Sequence, residues 1–143
     1  MADRALLHVD VDWSAYAVNS RPVITKFFES VEKEFGVGYV SFYRVDCTEQ
    51  SGPIWDITAD WFTKNKADST VLSSGGGAIV WIKKGQLTDS IYDAASKGIA
   101  DLMTRTRKLF ALAIDESATA TRRTWSVRSI WQALVAKNRV QSF

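Results

Sequence analysis

Leu6-Leu-His-Val-Asp-Val-Asp-Trp13, with Pro22 nine residues further on, is the stretch whose reading decides the fold. Ala5 to Val11 alternates loosely and is rich in β-formers, which predicts a buried strand. Trp13 to Arg21 is polar and aromatic and predicts a turn region. After Pro22, the residues Val23, Ile24, Phe27, Phe28, Val31 and Phe35 recur at three- and four-residue spacing. That spacing predicts an amphipathic helix, stopped by Gly36 and Gly38. Tyr39 to Asp46 predicts a second strand, with Val40, Phe42 or Tyr43, and Val45 as its apolar members. Strand, helix, strand is the pattern of a right-handed crossover between parallel strands.

Outward from this unit, Ser51-Gly-Pro53 marks a turn. Ile54, Trp55, Ile57, Trp61 and Phe62 predict a short helix with Asp56 near its start. Lys64 to Ser74 reads as loop and runs into Gly75-Gly76-Gly77. Ala78 to Ile82 is a continuous apolar run of strand length. Lys83-Lys-Gly-Gln86 is a hairpin turn signal, and Leu87 to Tyr92 is its partner strand. Ser96 to Ala113 predicts a helix carrying Ile99, Leu102, Met103, Leu109 and Phe110. Ser117 to Thr124 reads as a polar linker. Thr124 or Ser126 is placed to cap a last helix whose stripe is Trp125, Val127, Ile130, Trp131, Leu134 and Val135. These elements predict an α/β fold: a mixed four-stranded sheet with helices on both faces, plus a C-terminal helical extension.

Composition bounds the chemistry. The 143 residues hold 18 Lys or Arg, 16 Asp or Glu and one His, for a net charge of +2. Residues 1–96 sum to −4 and residues 97–143 to +6, so an acidic body carries a basic C-terminal third. The lone Cys47 excludes an intramolecular disulfide, a four-cysteine zinc site and any C-x-x-C centre. The lone His8 excludes H-E-x-x-H. No apolar run approaches the roughly 18 residues of a membrane span, and Met1 to His8 shows no signal-peptide pattern. A cytoplasmic protein with no cofactor and no metal is the expectation.

Four segments together resemble thioredoxin and the thioredoxin domains of disulfide isomerases. Leu6 to Trp13 is similar to the strand that leads into the family's active site and ends in a tryptophan. Pro22 stands at the family's helix proline. Arg44-Val-Asp-Cys-Thr-Glu49 resembles a strand end common in disulfide-isomerase domains, and Ile79-Val-Trp-Ile-Lys-Lys-Gly85 resembles the last hairpin. The resemblance covers about residues 5–111 and implies a thioredoxin-like three-layer sandwich over 1–113. The linker and helix of 114–143 are left to pack on that domain or on a partner chain. The family's first strand and helix have no counterpart here.

The same resemblance locates the redox motif and finds it lost. Trp13 matches the motif's tryptophan. Ser14 falls on the attacking cysteine, Ala15 and Tyr16 on the middle pair, and Ala17 on the resolving cysteine. The family's buried acid falls on His8 and its cis-proline on Gly77. Disulfide exchange requires a thiolate and a second thiol, so dithiol oxidoreductase activity is not expected.

Each remaining group has a plainer and a sharper reading. Cys47 is a small packed residue at a strand end, or a reactive thiol. His8 is a structural histidine, or a base for Ser14; the latter needs an orienting group and an oxyanion hole as well. Gly75-Gly76-Gly77 lacks the Lys-Ser/Thr of a P-loop and precedes a strand, so it reads as a loop. Trp13 and Tyr16 either pack on the Trp55–Phe62 helix or remain exposed as a binding surface. The expectation is a redox-inactive protein- or peptide-binding module. Its contact residues are Trp13, Ser14, Tyr16 and Gly77, with Trp125 and Trp131 on the extension, which is also placed to form a homodimer. The alternatives are single-nucleophile chemistry at Cys47 or Ser14, and a structural subunit docking its basic C-terminal third on an acidic partner or nucleic acid.

Overall fold

The computed structural model describes residues 3–66, 77–110 and 140–142. Its elements run β1 (Arg4–Asp10), α1 (Ala15–Phe35), β2 (Ser41–Asp46), α2 (Pro53–Lys64), β3 (Ala78–Lys83), β4 (Gln86–Ile91), α3 (Ala94–Lys97), α4 (Ile99–Phe110) and β5 (Val140–Ser142). The sheet order is β4-β3-β1-β2-β5. β1 and β2 are parallel, with Ala5 opposite Ser41 and Asp10 opposite Asp46. β3 is antiparallel to β1, and β4 is antiparallel to β3. The expected mixed four-stranded sheet is therefore present. The three-residue β5 adds a fifth strand, antiparallel to β2.

Strand alternation divides the core into two layers. Leu6, Phe42, Ile79 and Trp81 face Ile24, Phe27, Phe28 and Val31 of α1 and Leu102, Met103 and Phe110 of α4. Ala5, Leu7, Val9, Val45, Val80 and Ile82 face Trp61 and Phe62 of α2. Phe42 and Tyr43 are thus both packed, on opposite faces. In the first layer Trp81 donates its indole N–H to Thr106 Oγ1 at 2.9 Å, so its polar atom is satisfied inside the core. The end of α4 is pinned where the Phe110 carbonyl accepts from Arg4 Nε at 3.3 Å and from the Tyr39 hydroxyl at 3.4 Å.

Two boundaries differ from the sequence expectation. α1 begins at Ala15, so the segment read as a turn up to Arg21 is helical and Pro22 lies inside the helix. Proline removes one N–H and strains the preceding turn, but Ala17, Ser20 and Ile24 continue the buried stripe through it. The helix expected from Ser96 to Ala113 is broken at Gly98, which has φ +76°, into the short α3 and the longer α4. The hairpin turn follows the expected chemistry: Lys84 and Gly85 have φ +53° and +78°, the left-handed pair of a two-residue turn. The C-terminal stripe with Trp125 and Trp131 lies outside the described residues. No helix among the described residues is long and apolar enough to cross a membrane.

Candidate functional site

The parallel β1–β2 pair brings two chain segments together at the N-terminus of α1. Asp12 N–H donates to Thr48 Oγ1 at 3.1 Å, and Trp13 Nε1 donates to the Thr48 carbonyl at 3.1 Å. The Trp13 ring is therefore tethered to the loop after β2, yet it keeps 45% of its surface exposed. Tyr16 is 66% exposed and Val18 40% exposed. Ser14 has the extended backbone of an N-cap (φ −113°, ψ 126°), but its hydroxyl forms no capping bond. Ala17 is fully buried. The four positions thus split: aromatic surface at Trp13 and Tyr16, and packed, chemically quiet residues at Ser14 and Ala17.

Gly77 enters β3 directly against this turn of α1. Its φ is +70°, and a Cβ built there would lie 2.6 Å from Ser20 Cβ and 3.2 Å from Ala17 Cα. A proline, locked near −65°, cannot adopt that backbone. The position that resembles the family's cis-proline is therefore shaped for glycine alone. The Gly77 carbonyl accepts Ala94 N–H at 3.2 Å, and Ser20 Oγ accepts Ala95 N–H at 3.3 Å, which ties α3 to both. Gly75 and Gly76 lie outside the described residues.

Beneath the surface lies a charge cluster that sequence reading missed. Asp10, fully buried, accepts from Arg21 Nε at 2.9 Å and from Arg44 Nε and Nη2 at 3.0 and 2.6 Å, all on Oδ2. Its other oxygen faces His8 Nε2 at 3.8 Å. His8, Asp10 and Arg44 share one face of the sheet through the β1–β2 register, and Arg21 reaches them from α1. The signal in the sequence was an acid two residues after His8 on a buried strand, since a buried carboxylate demands a cation. Burial pushes the His8 imidazole down to about 4; Asp10 opposes this, and Arg44 and Arg21 add to it. At neutral pH His8 is uncharged. The Ser14 hydroxyl makes no capping bond, and His8 Nε2 faces Asp10.

Cys47 is buried at the end of β2, where its N–H donates to the Asp10 carbonyl at 2.8 Å. Burial pushes its thiol up to about 12; a hydrogen bond with Thr58 opposes this, and Asp46 and Asp10 add to it. Thiolate is the reactive species, so this thiol is held in its inert form. Among the described residues no group of three or more His, Cys, Asp or Glu is placed to hold a metal ion.

No protein-family model matches the chain, and no curated protein matches it. Among solved structures, thioredoxin O2 from Arabidopsis thaliana in its oxidised state is similar, with a TM-score of 0.47, 15% identity and 76% of each chain covered. The mixed sheet, with α1 and α4 on one face and α2 on the other, agrees with the expectation of helices on both faces. The fold is α/β, a mixed sheet between helical layers. On this scaffold the sequence offers one thiol, buried at a strand end and distant in sequence from the exposed turn at Trp13.

Proposed function

We propose that this thioredoxin-like chain is a redox-inactive binding module that docks a peptide or protein segment at the N-terminus of α1. The observation that carries the reading is the exposure of Trp13, Tyr16 and Val18 around a turn whose two dithiol positions hold Ser14 and Ala17. Aromatic side chains held on a rigid element supply large contact area at low entropic cost. Trp13 is tethered by its own indole N–H, so its exposed face is presented in a fixed orientation. The reading carries a cytoplasmic location with it, where a lone reduced thiol is the rule.

The binding surface comprises Trp13, Tyr16 and Val18, whereas Gly77, expected among the contact residues, is buried where α1, β3 and α3 converge. Because Gly77 replaces the family's proline with a different backbone, the docked segment need not follow the family's path. Selection of binders from a random peptide library on the folded chain tests this. Binders retained by the native chain should be lost, by about tenfold or more in affinity, in Trp13→Ala and Tyr16→Ala, as expected for aromatic anchors of an interface. Binders indifferent to both substitutions would overturn the reading.

A further inference from the structure

A second concavity lies at the far end of the hairpin. The end of β4, the turn after it, α3 and α4 form a half-open cleft of about 280 Å³, whose wall includes Ser90, Tyr92, Asp93, Ser96, Lys97 and Arg105. Its size suits a small molecule better than an extended peptide.

The two cations in its wall are held differently. Arg105 Nη1 donates to Asp89 Oδ2 at 2.7 Å, and its guanidinium lies 5.8 Å from the centroid of the Trp81 ring. The guanidinium is thereby fixed, while only one of its five N–H donors is used by Asp89. Asp89 is fully engaged in return, since its other oxygen accepts Ser90 N–H at 2.8 Å. Lys97 is exposed and makes no ion pair among the described residues. Asp93 is the one carboxylate in the lining; with Asp89 on Arg105 the acids equal the cations, so the attraction for an anion comes from Lys97 and from the guanidinium N–H groups that Asp89 leaves unused. Asp93 also holds a left-handed backbone, φ +55°, and its carbonyl accepts both the N–H (3.1 Å) and the hydroxyl (2.8 Å) of Ser96. Backbone strain of this kind persists where the surroundings enforce it, and it clusters at binding sites. Tyr92 is 52% exposed and offers a flat ring at the rim.

We propose that this cleft binds the oxyanion of a small ligand, a phosphate or a carboxylate. Lys97 and the prepositioned Arg105 hold the charge, and Tyr92 covers the body of the ligand. A pinned guanidinium pays little entropy on binding, and charge-assisted hydrogen bonds are the strong ones. The site is independent of the Trp13–Tyr16 surface and stands or falls without it.

Amide chemical-shift mapping of the full chain tests the proposal, with sodium phosphate and sodium acetate titrated separately at constant ionic strength. Saturable shifts confined to Ser90–Lys97 and Arg105 are expected. Saturation by phosphate alone, by acetate alone or by both identifies the oxyanion recognised. Lys97→Ala should weaken the binding about threefold or more, and Asp93→Asn should tighten it, as expected for charges at a half-open site. Shifts scattered over the basic surface, shifts that do not saturate, or an affinity unchanged in both variants would overturn it.

Discussion

Gly77 touches Ser20 so closely that a single added methyl group on Gly77 would lie 2.6 Å from the Ser20 Cβ. Gly77 also sits at φ +70°, a region costly for any residue with a Cβ. Gly77→Ala therefore combines backbone strain with overpacking and should cost about 2–4 kcal/mol. Urea unfolding checks this: the midpoint should fall with the slope unchanged.

Asp10 carries two arginines on one oxygen within the core. Asp10→Asn leaves both guanidiniums without their counterion, a change that costs about 3–5 kcal/mol for a fully buried pair. The Arg21 side chain keeps 39% of its surface exposed and the Arg44 side chain 23%, so both can turn partly to water. About 2–3 kcal/mol is the expected loss in chemical denaturation, below the fully buried value for that reason.

His8 predicts how stability depends on pH. Its folded pKa, about 4, lies below the ordinary 6.5. Between those values the unfolded chain binds the proton that the folded chain refuses, so stability rises with pH across that window. The contribution is fully present above about pH 6.5 and is lost progressively as pH falls toward about 4, in total about 3 kcal/mol. Denaturation measured from pH 4 to 7 should show this slope, and His8→Gln should flatten it. An equal slope in the variant would show that other groups are responsible.

The Cys47 thiol, pushed up to about 12, should resist alkylation in the folded chain. Iodoacetamide at pH 8 is expected to label it slowly in buffer and rapidly in denaturing urea. Fast labelling of the folded chain would restore Cys47 as a reactive centre.

β1 to β4 were legible in the sequence: β1 and β3 as short, largely apolar runs, β2 by its spaced apolar members, and β4 as the partner across the hairpin turn. Lys84-Gly85 announced its hairpin through the residues that tolerate positive φ. The first turns of α1 were not legible. Pro22 is a familiar helix opener, and only the packed positions Ala17 and Ser20 reveal that the helix already runs before it. The Asp10 cluster was hidden for another reason: its partners Arg21 and Arg44 lie 11 and 34 residues away, and the packing of α1 and the β1–β2 register decide that they meet. β5 follows a long basic segment and is only three residues long, too short for any periodicity to show. At the site, the exposure of Trp13 and Tyr16 could not be told from packing on α2 by composition alone. The Trp13–Thr48 tether and the open faces of both rings are properties of the assembled fold.

In the proposed function, the turn around Trp13 binds a peptide segment and performs no thiol chemistry. Amide shift mapping of the full chain with the tightest library-selected peptide tests it most directly. Saturable shifts centred on Trp13 to Val18, Thr48 and Gly77 are expected, together with no turnover of insulin disulfides in the presence of a dithiol donor. Saturable shifts centred elsewhere, or insulin reduction at thioredoxin-like rates, would contradict it.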